Sequence, residues 1–302
     1  MRKIFIGVFI LFVSTLAGIF VLYQVYNSFL TAPSPLAINA SFDEYVCRAW
    51  PNCAIREPEP SFSLEPSGSY ASGTVIVPIV MYHHIRAHRP WFNSKERLYS
   101  VTPDVFASQM QALKDAGYTP ITPDDLIYAI TTSTRGFPEK PVLITLDDGH
   151  REHFTEAFPV LKRLDLKATF FIITDSMKLN GYMTADQIRE VDQSGIITIG
   201  SHTRSHAALT RYGGDRRSSE ISGSKRDLED LLGHPIQTIA YPYGYSSAQI
   251  EREVRDAGYA LGFSIGPGAV HSTSTRYHLR RIQINQDTDL VRTLDRYREH
   301  GK

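Results

Sequence analysis

Two carboxylates stand side by side at Asp147 and Asp148, and two imidazoles stand four positions apart at His202 and His206. Adjacent acids repel, so both stay ionised only where a cation or a hydrogen-bond donor separates their roles. A metal ion on one and a proton-accepting role for the other would do this. The plain alternative is a solvated turn in which one carboxylate caps the next helix. Two His with this spacing reach one metal when the segment is helical or turned. Their plain alternative is a pair of surface imidazoles. Taken together, two His and one Asp at the ends of separate strands make a three-ligand site with open positions, suited to a catalytic divalent metal.

Those residues need strands to carry them, and each group directly follows an apolar run. Leu143–Leu146 leads into Asp147, and Ile196–Ile199 leads into Gly200-Ser201-His202. A third run, Ile239-Ala240, ends in Tyr241-Pro242-Tyr243-Gly244. A proline turn of this kind can present a backbone N–H to an oxyanion, and tyrosine rings can stack on sugar faces. The alternative is an ordinary turn with packed aromatics. Predicted strands are Val75–Met81, Val142–Leu146, Ala168–Thr174, Ile196–Gly200, Gln237–Tyr241, Ala260–Ser264 and Leu279–Ile284. Helices fall between them. One has Thr102 as N-cap and Pro103 at its first position, with Phe106, Met110 and Leu113 on one face, and stops near Gly117. Others begin at Thr184 and near Ser246. Strand–helix alternation predicts an α/β fold with a parallel sheet, either a barrel or a doubly wound layer. In both, chemistry sits at the C-terminal ends of strands, where the three motifs stand.

The chain has 302 residues, 42% hydrophobic and 21% charged, as a globular protein does. Lys plus Arg equals Asp plus Glu at 32 each, so the basic footprint of a nucleic-acid binder is lacking. Arg2 and Lys3 precede an apolar run from Ile4 to Tyr23. As a helix this run would span roughly 30 Å, the thickness of a bilayer core. The two basic residues predict a cytoplasmic N-terminus with the rest outside. The length of the run and the lack of an Ala-x-Ala site after it predict a retained membrane anchor; a cleaved signal peptide is the other reading. Residues 1–30 are thus read as stub and anchor, 31–73 as a proline-rich extracytoplasmic linker, and 74–302 as the functional domain. Cys47 and Cys53 lie in the linker. In an exported chain they are expected to pair, with two free thiols as the alternative.

Together the motifs resemble the polysaccharide deacetylases with the NodB homology domain, carbohydrate esterase family 4. Thr145-Leu146-Asp147-Asp148-Gly149 looks like their Thr-Phe-Asp-Asp-Gly, Ser201 to His206 matches their Ser-His-Thr-x-x-His, and Tyr241 to Gly244 matches their Tyr-Pro-Tyr-Gly. Met81-Tyr82-His83-His84-Ile85 is similar to the opening of the exopolysaccharide poly-N-acetylglucosamine deacetylase subgroup. The likeness covers about Val75 to Ile284. It implies a distorted (β/α) barrel, with Asp148, His202 and His206 on a divalent metal, Zn²⁺ by preference. It also implies Asp147 as the base, the Tyr243 N–H at the oxyanion and an N-acetylated glycan as substrate.

Two partners usual in the family are missing. The Arg of the third motif, which orients the base, is replaced by Ala240. Arg281, on a late strand, is the candidate substitute, against a surface arginine. The late general-acid His is absent from Gln283-Ile284-Asn285. His83, at the end of the first strand, is the candidate acid, against a hydrogen-bonded core histidine. Its neighbour His84 should face the other way, and His150, His271 and His278 are further candidates. Tyr241 and Phe263 are expected to line the sugar site. The rival functions are an O-acetyl glycan esterase and a non-catalytic glycan-binding protein on the same fold.

Overall fold

The apolar runs become parallel strands in the computed structural model, which describes residues 73–89 and 91–301. The predicted anchor, the linker up to residue 72, and Cys47 and Cys53 lie outside the described residues. Among the described residues, no helix is long and apolar enough to cross a membrane. The main sheet runs β10 (Leu261–Phe263), β9 (Thr238–Ala240), β8 (Ile197–Ser201), β7 (Ala168–Ile172), β6 (Pro141–Leu146), β2 (Ile79–Tyr82) and β12 (Ile282–Gln283). Every neighbouring pair is parallel, and β5 (Thr119–Pro120) adds to β6. The segment before β12 also pairs with β10: Ser264 N donates to Leu279 O and Leu279 N to Gly262 O. The two edges of the sheet are thereby joined, giving the distorted α/β barrel.

Alternation along the strands sorts two cores. On β6, Val142, Ile144 and Leu146 face the helices, while Leu143 faces inward with Phe171, Ala240, Phe263 and Leu279. The same period of two sends Thr145 and then Asp147 to the interior face above Leu143. Gly200 on β8 faces this interior, where an added Cβ would stand 2.6 Å from the Phe171 ring. Helices pack outside, including Pro103–Asp115, Ala185–Asp192 and Ala248–Asp256, capped at Thr102, Thr184 and Ser247.

The structure departs from the expected strands in two places. The first predicted strand, Val75–Met81, is split into β1 (Thr74–Ile76) and β2. Pro78 has no N–H, and there the chain changes partners: β1 pairs antiparallel with β11 (Val270–Ser272), whereas β2 enters the main sheet. The last, Leu279–Ile284, keeps ladder pairing only at Ile282–Gln283, because Leu279 turns to bridge β10. Short strands β3 (His84–Ile85) and β4 (Ser100–Val101), and π turns at His153–Ala157 and Ser219–Gly223, had no sequence signal.

Burial pushes the imidazoles of His153 and His271 from 6.5 down to about 4. Each sits against a carbonyl, His153 Nε2 at 2.6 Å from His83 O and His271 Nε2 at 3.0 Å from Val77 O. Both are neutral when folded, so the unfolded chain takes up their protons first as pH falls. The stability involved is complete above about pH 6.5 and is lost as pH drops from 6.5 towards 4, at up to ~1.4 kcal/mol per unit for each group. Urea unfolding across that window should show the loss, and His271→Gln should flatten it. A midpoint that does not move between those pH values would refute this account.

Candidate active site

The C-terminal end of β6 delivers both carboxylates to one place but into different surroundings. Asp147 is 1% exposed. Arg281 grips it with two bonds, Nη1 to Oδ1 at 2.6 Å and Nη2 to Oδ2 at 2.7 Å. The guanidinium is itself fully buried and anchored, with Nε donating to Ser264 O at 3.0 Å and its carbon 5.4 Å from the centre of the Phe171 ring. Burial raises the Asp147 carboxyl, but the Arg281 and His202 charges outweigh it and hold the group below its ordinary value. Ala240, at the family's arginine position, lies in the same interior cluster as Phe171 and Phe263. The guanidinium thus arrives from the chain just before β12.

Asp148 turns the other way because its φ is 79°, left-handed backbone that a non-glycine residue seldom adopts. Its Oδ1 is buried without a hydrogen-bond partner. Two imidazole nitrogens converge on that atom, His202 Nε2 and His206 Nε2, each at 3.5 Å. His202 Nδ1 lies 2.8 Å from Ala240 O, so the ring donates there and presents a lone pair at Nε2. Burial pushes His206 down to about 4, leaving it neutral and able to ligate at pH 7. An orphaned carboxylate oxygen facing two imidazole nitrogens is a donor set that fits a divalent cation. Burial raises the Asp148 carboxyl, yet His150 and His202 bring it well below its usual range.

A second histidine group, which brings His84 together with the further candidate His150, backs Asp148. His150 Nε2 stands 3.2 Å from Asp148 Oδ2, though without hydrogen-bond alignment. His150 stacks on His84 at 3.9 Å, and His84 Nδ1 meets Glu152 Oε1 at 2.7 Å. Ligand atoms of His84, His150 and Glu152 are close enough for an ion. The two stacked rings lie 22° from parallel. His150, one of the further candidates for the acid, directly follows the Asp-Asp-Gly motif. His83 packs edge-on against Tyr99, and its buried Nδ1 has no partner. Burial lowers His83 to about 4, against the opposing pull of Asp147 and Asp148. His271 bonds Val77 O, and His278 bonds Ser246 and Glu251.

The third motif ends in a tight turn in which Tyr243 has φ 62°. Among the described residues its N–H donates to no protein acceptor. Its ring is half exposed and packs edge-on against His206 at 4.8 Å. Tyr241 and Phe263 do not line a sugar site. Both are fully buried: the Tyr241 hydroxyl donates to Tyr277 O at 2.8 Å, and Phe263 packs on Phe171 at 5.2 Å. Inward-facing strand positions put them in the core, and the open aromatic rings beside the histidines are Tyr243 and Tyr245.

The Arg281–Asp147 pair has a thermodynamic signature. Arg281→Ala leaves a buried carboxylate unpaired and should cost about 3–5 kcal/mol. Replacing both partners, Arg281→Met with Asp147→Leu, leaves no lone charge and should cost much less. Denaturant unfolding of the two variants reads the difference; equal losses would show that the pair is not the cause.

The polysaccharide deacetylase family matches the chain over residues 134–262. YxkH of Bacillus subtilis (strain 168), named as a polysaccharide deacetylase, is 32% identical over 209 residues, spanning 69% of this chain and 71% of that protein. The poly-beta-1,6-N-acetyl-D-glucosamine N-deacetylase of Staphylococcus aureus (strain MRSA252) is 27% identical over 226 residues, spanning 69% and 77%. Among solved structures, the Streptococcus pyogenes deacetylase PplD in complex with acetate superposes with a TM-score of 0.66 at 29% identity, covering 73% of this chain and 98% of that one. On this likeness, and on a fold that carries the three motifs at its strand ends, the chain belongs to the polysaccharide deacetylase family and is a hydrolase.

Proposed function

We propose that the chain removes acetyl groups from N-acetylglucosamine residues of a glycan outside the cytoplasm, in a reaction that needs a divalent cation. The carrying observation is the meeting of Asp148 Oδ1 with His202 Nε2 and His206 Nε2 beside an Asp147 held ionised by Arg281. One carboxylate and two imidazoles suit Zn²⁺. The Staphylococcus aureus relative bears on the substrate through its name, which specifies poly-N-acetylglucosamine. In this reading the run Ile4–Tyr23 anchors the chain in a membrane, linker 31–73 spaces it, and domain 74–302 works outside.

When bound, the cation supplies a more acidic water and a Lewis acid for the acetamide oxygen. Asp147 accepts the proton of the attacking water, and Arg281 holds its carboxylate in place. The Tyr243 N–H donates to the oxygen of the tetrahedral adduct, a contact of a kind worth about 3 kcal/mol. His83 protonates the departing amine, because an amine anion is a very poor leaving group. His83 is neutral in the free site, with its value near 4. It therefore acts as an acid only after gaining a proton, and Asp147, charged with one in the first step, is the source. Acetate and a free amino sugar result. Tyr243 and Tyr245 offer exposed rings on which a neighbouring sugar can stack.

A second reading rests on the same histidine. An ester has a better leaving group than an amide and does not need a protonated His83, which favours O-acetyl hydrolysis.

Purified protein should release acetate from N-acetylglucosamine oligomers, lose that activity on chelation and regain it with Zn²⁺. Asp147→Asn should cut turnover by roughly 10²–10⁴-fold while still binding metal. Full turnover after chelation would sink the metal requirement. Release from O-acetylated glycans alone would select the ester reading.

A further inference from the structure

The two histidines of the site are held in different ways. His202 is fixed by its own Nδ1 on Ala240 O, and it is 2% exposed. His206 has no side-chain hydrogen bond of its own among the described residues, and its ring is only half-buried. Its aim therefore depends on the path of the backbone that delivers it. That path is strained: Thr203 has φ 64° and His206 φ 58°, both left-handed and neither glycine. Such conformations persist only where the surroundings over-determine them.

The surroundings are a helical stretch packed under the loop. We propose that Glu220 is a positioning residue for His206, acting as the built-in anion of a backbone nest. The idea rests on the metal reading of Asp148, His202 and His206. After the left-handed Thr203, the successive N–H groups of Arg204 and Ser205 point the same way, the arrangement that forms an anion-binding concavity. Glu220 Oε2 accepts both, at 3.0 Å and 2.9 Å, while Oε1 accepts the Ser205 hydroxyl at 2.6 Å. Glu220 is 6% exposed, lies fifteen residues beyond the loop and sits in the π turn Ser219–Gly223. Turns of this type recur at functional sites.

The same stretch holds the loop elsewhere. Ser224 Oγ meets Ser201 Oγ at 2.7 Å, and Asp227 takes Arg204 Nε and Nη2 at 2.8 Å and 3.0 Å. Gly223 lacks the Cβ that would crowd Arg204 Cδ. From the other side, Thr174 N and Asp175 N donate to Thr203 O and Arg204 O. Glu220 is the member of this mould that grips the residue next to His206.

The test is Zn²⁺ affinity, measured on the full chain by competition with a chromophoric chelator. Glu220→Gln keeps the shape but removes the charge that fills the nest. It should weaken Zn²⁺ binding about 10- to 100-fold, as loss of an orienting partner does. Ser205→Ala removes one of the three bonds and should weaken it several-fold, and it supplies the reading should Glu220→Gln not fold. Glu253→Gln is the control: it breaks the pair that ties Arg217, on the helical turn just before Glu220, to the separate helix Ala248–Asp256. The control should lower the thermal midpoint and leave Zn²⁺ affinity unchanged. Unaltered affinity in Glu220→Gln and Ser205→Ala, with tight binding by the wild type, would overturn the role of Glu220 alone. A wild type that binds no Zn²⁺ would overturn the metal reading and the positioning role with it.

Discussion

A carboxylate on the inner face of a barrel must be paired, and here the pair is Arg281 with Asp147. A guanidinium in such a place needs its own donors satisfied. Ser264 O takes one, Thr145 Oγ1 lies 3.3 Å from another, and Asp147 takes two in bidentate form. These contacts tie the end of β6 to the chain after β10 and the chain before β12. The same segment joins the two edges of the sheet. Ionising Asp147 and closing the barrel are therefore one structural event.

That pair also divides the labour of two adjacent acids. Both oxygens of Asp147 are engaged by Arg281, whereas Oδ1 of Asp148 has no protein partner. Neighbours in sequence thus differ in chemistry, because the strand sends one inward and a left-handed turn sends the next outward. Left-handed non-glycine backbone concentrates here: Asp148, Thr203, His206 and Tyr243 make four of the five such residues among the described ones, with Asp165 at a helix end as the other. Strands supply rigid platforms, and strained turns at their ends aim the groups.

The sequence exposed the platforms better than the supports. Apolar runs bounded by turn residues marked the central strands to within a residue or two; Thr102, Thr184 and the neighbourhood of Ser246 marked helix starts, with side-chain caps formed at Thr184 and Ser247 and Thr102 followed by Pro103 without one. The three motifs stand at strand ends because parallel sheets open their loops there. Arg281 was singled out from a missing partner and a position late in the chain, and the side chain reaches Asp147. Side-chain direction was harder to read. Tyr241 and Phe263 look like sugar platforms in sequence, but the period of two turns them into the core. Glu220 gave no signal, since a glutamate on a helix reads as a solvated face until the loop it grips is known.

Charge explains why the site is built from histidines. Burial holds His83 and His206 near 4, neutral at pH 7, and lowers His84 as well. Neutral imidazoles are ligands and proton acceptors, not competing cations. At the end of β6 two carboxylates, Asp147 and Asp148, face one guanidinium. Arg281 neutralises Asp147, and the remaining negative charge rests on Asp148, at the atom where His202 and His206 converge. A divalent cation there would reverse the sign of the local field beside the Tyr243 N–H, favouring an oxyanion at that place. With such a cation bound, Asp147 would stay ionised while the side facing the Tyr243 N–H became positive, two demands that adjacent acids alone could not meet.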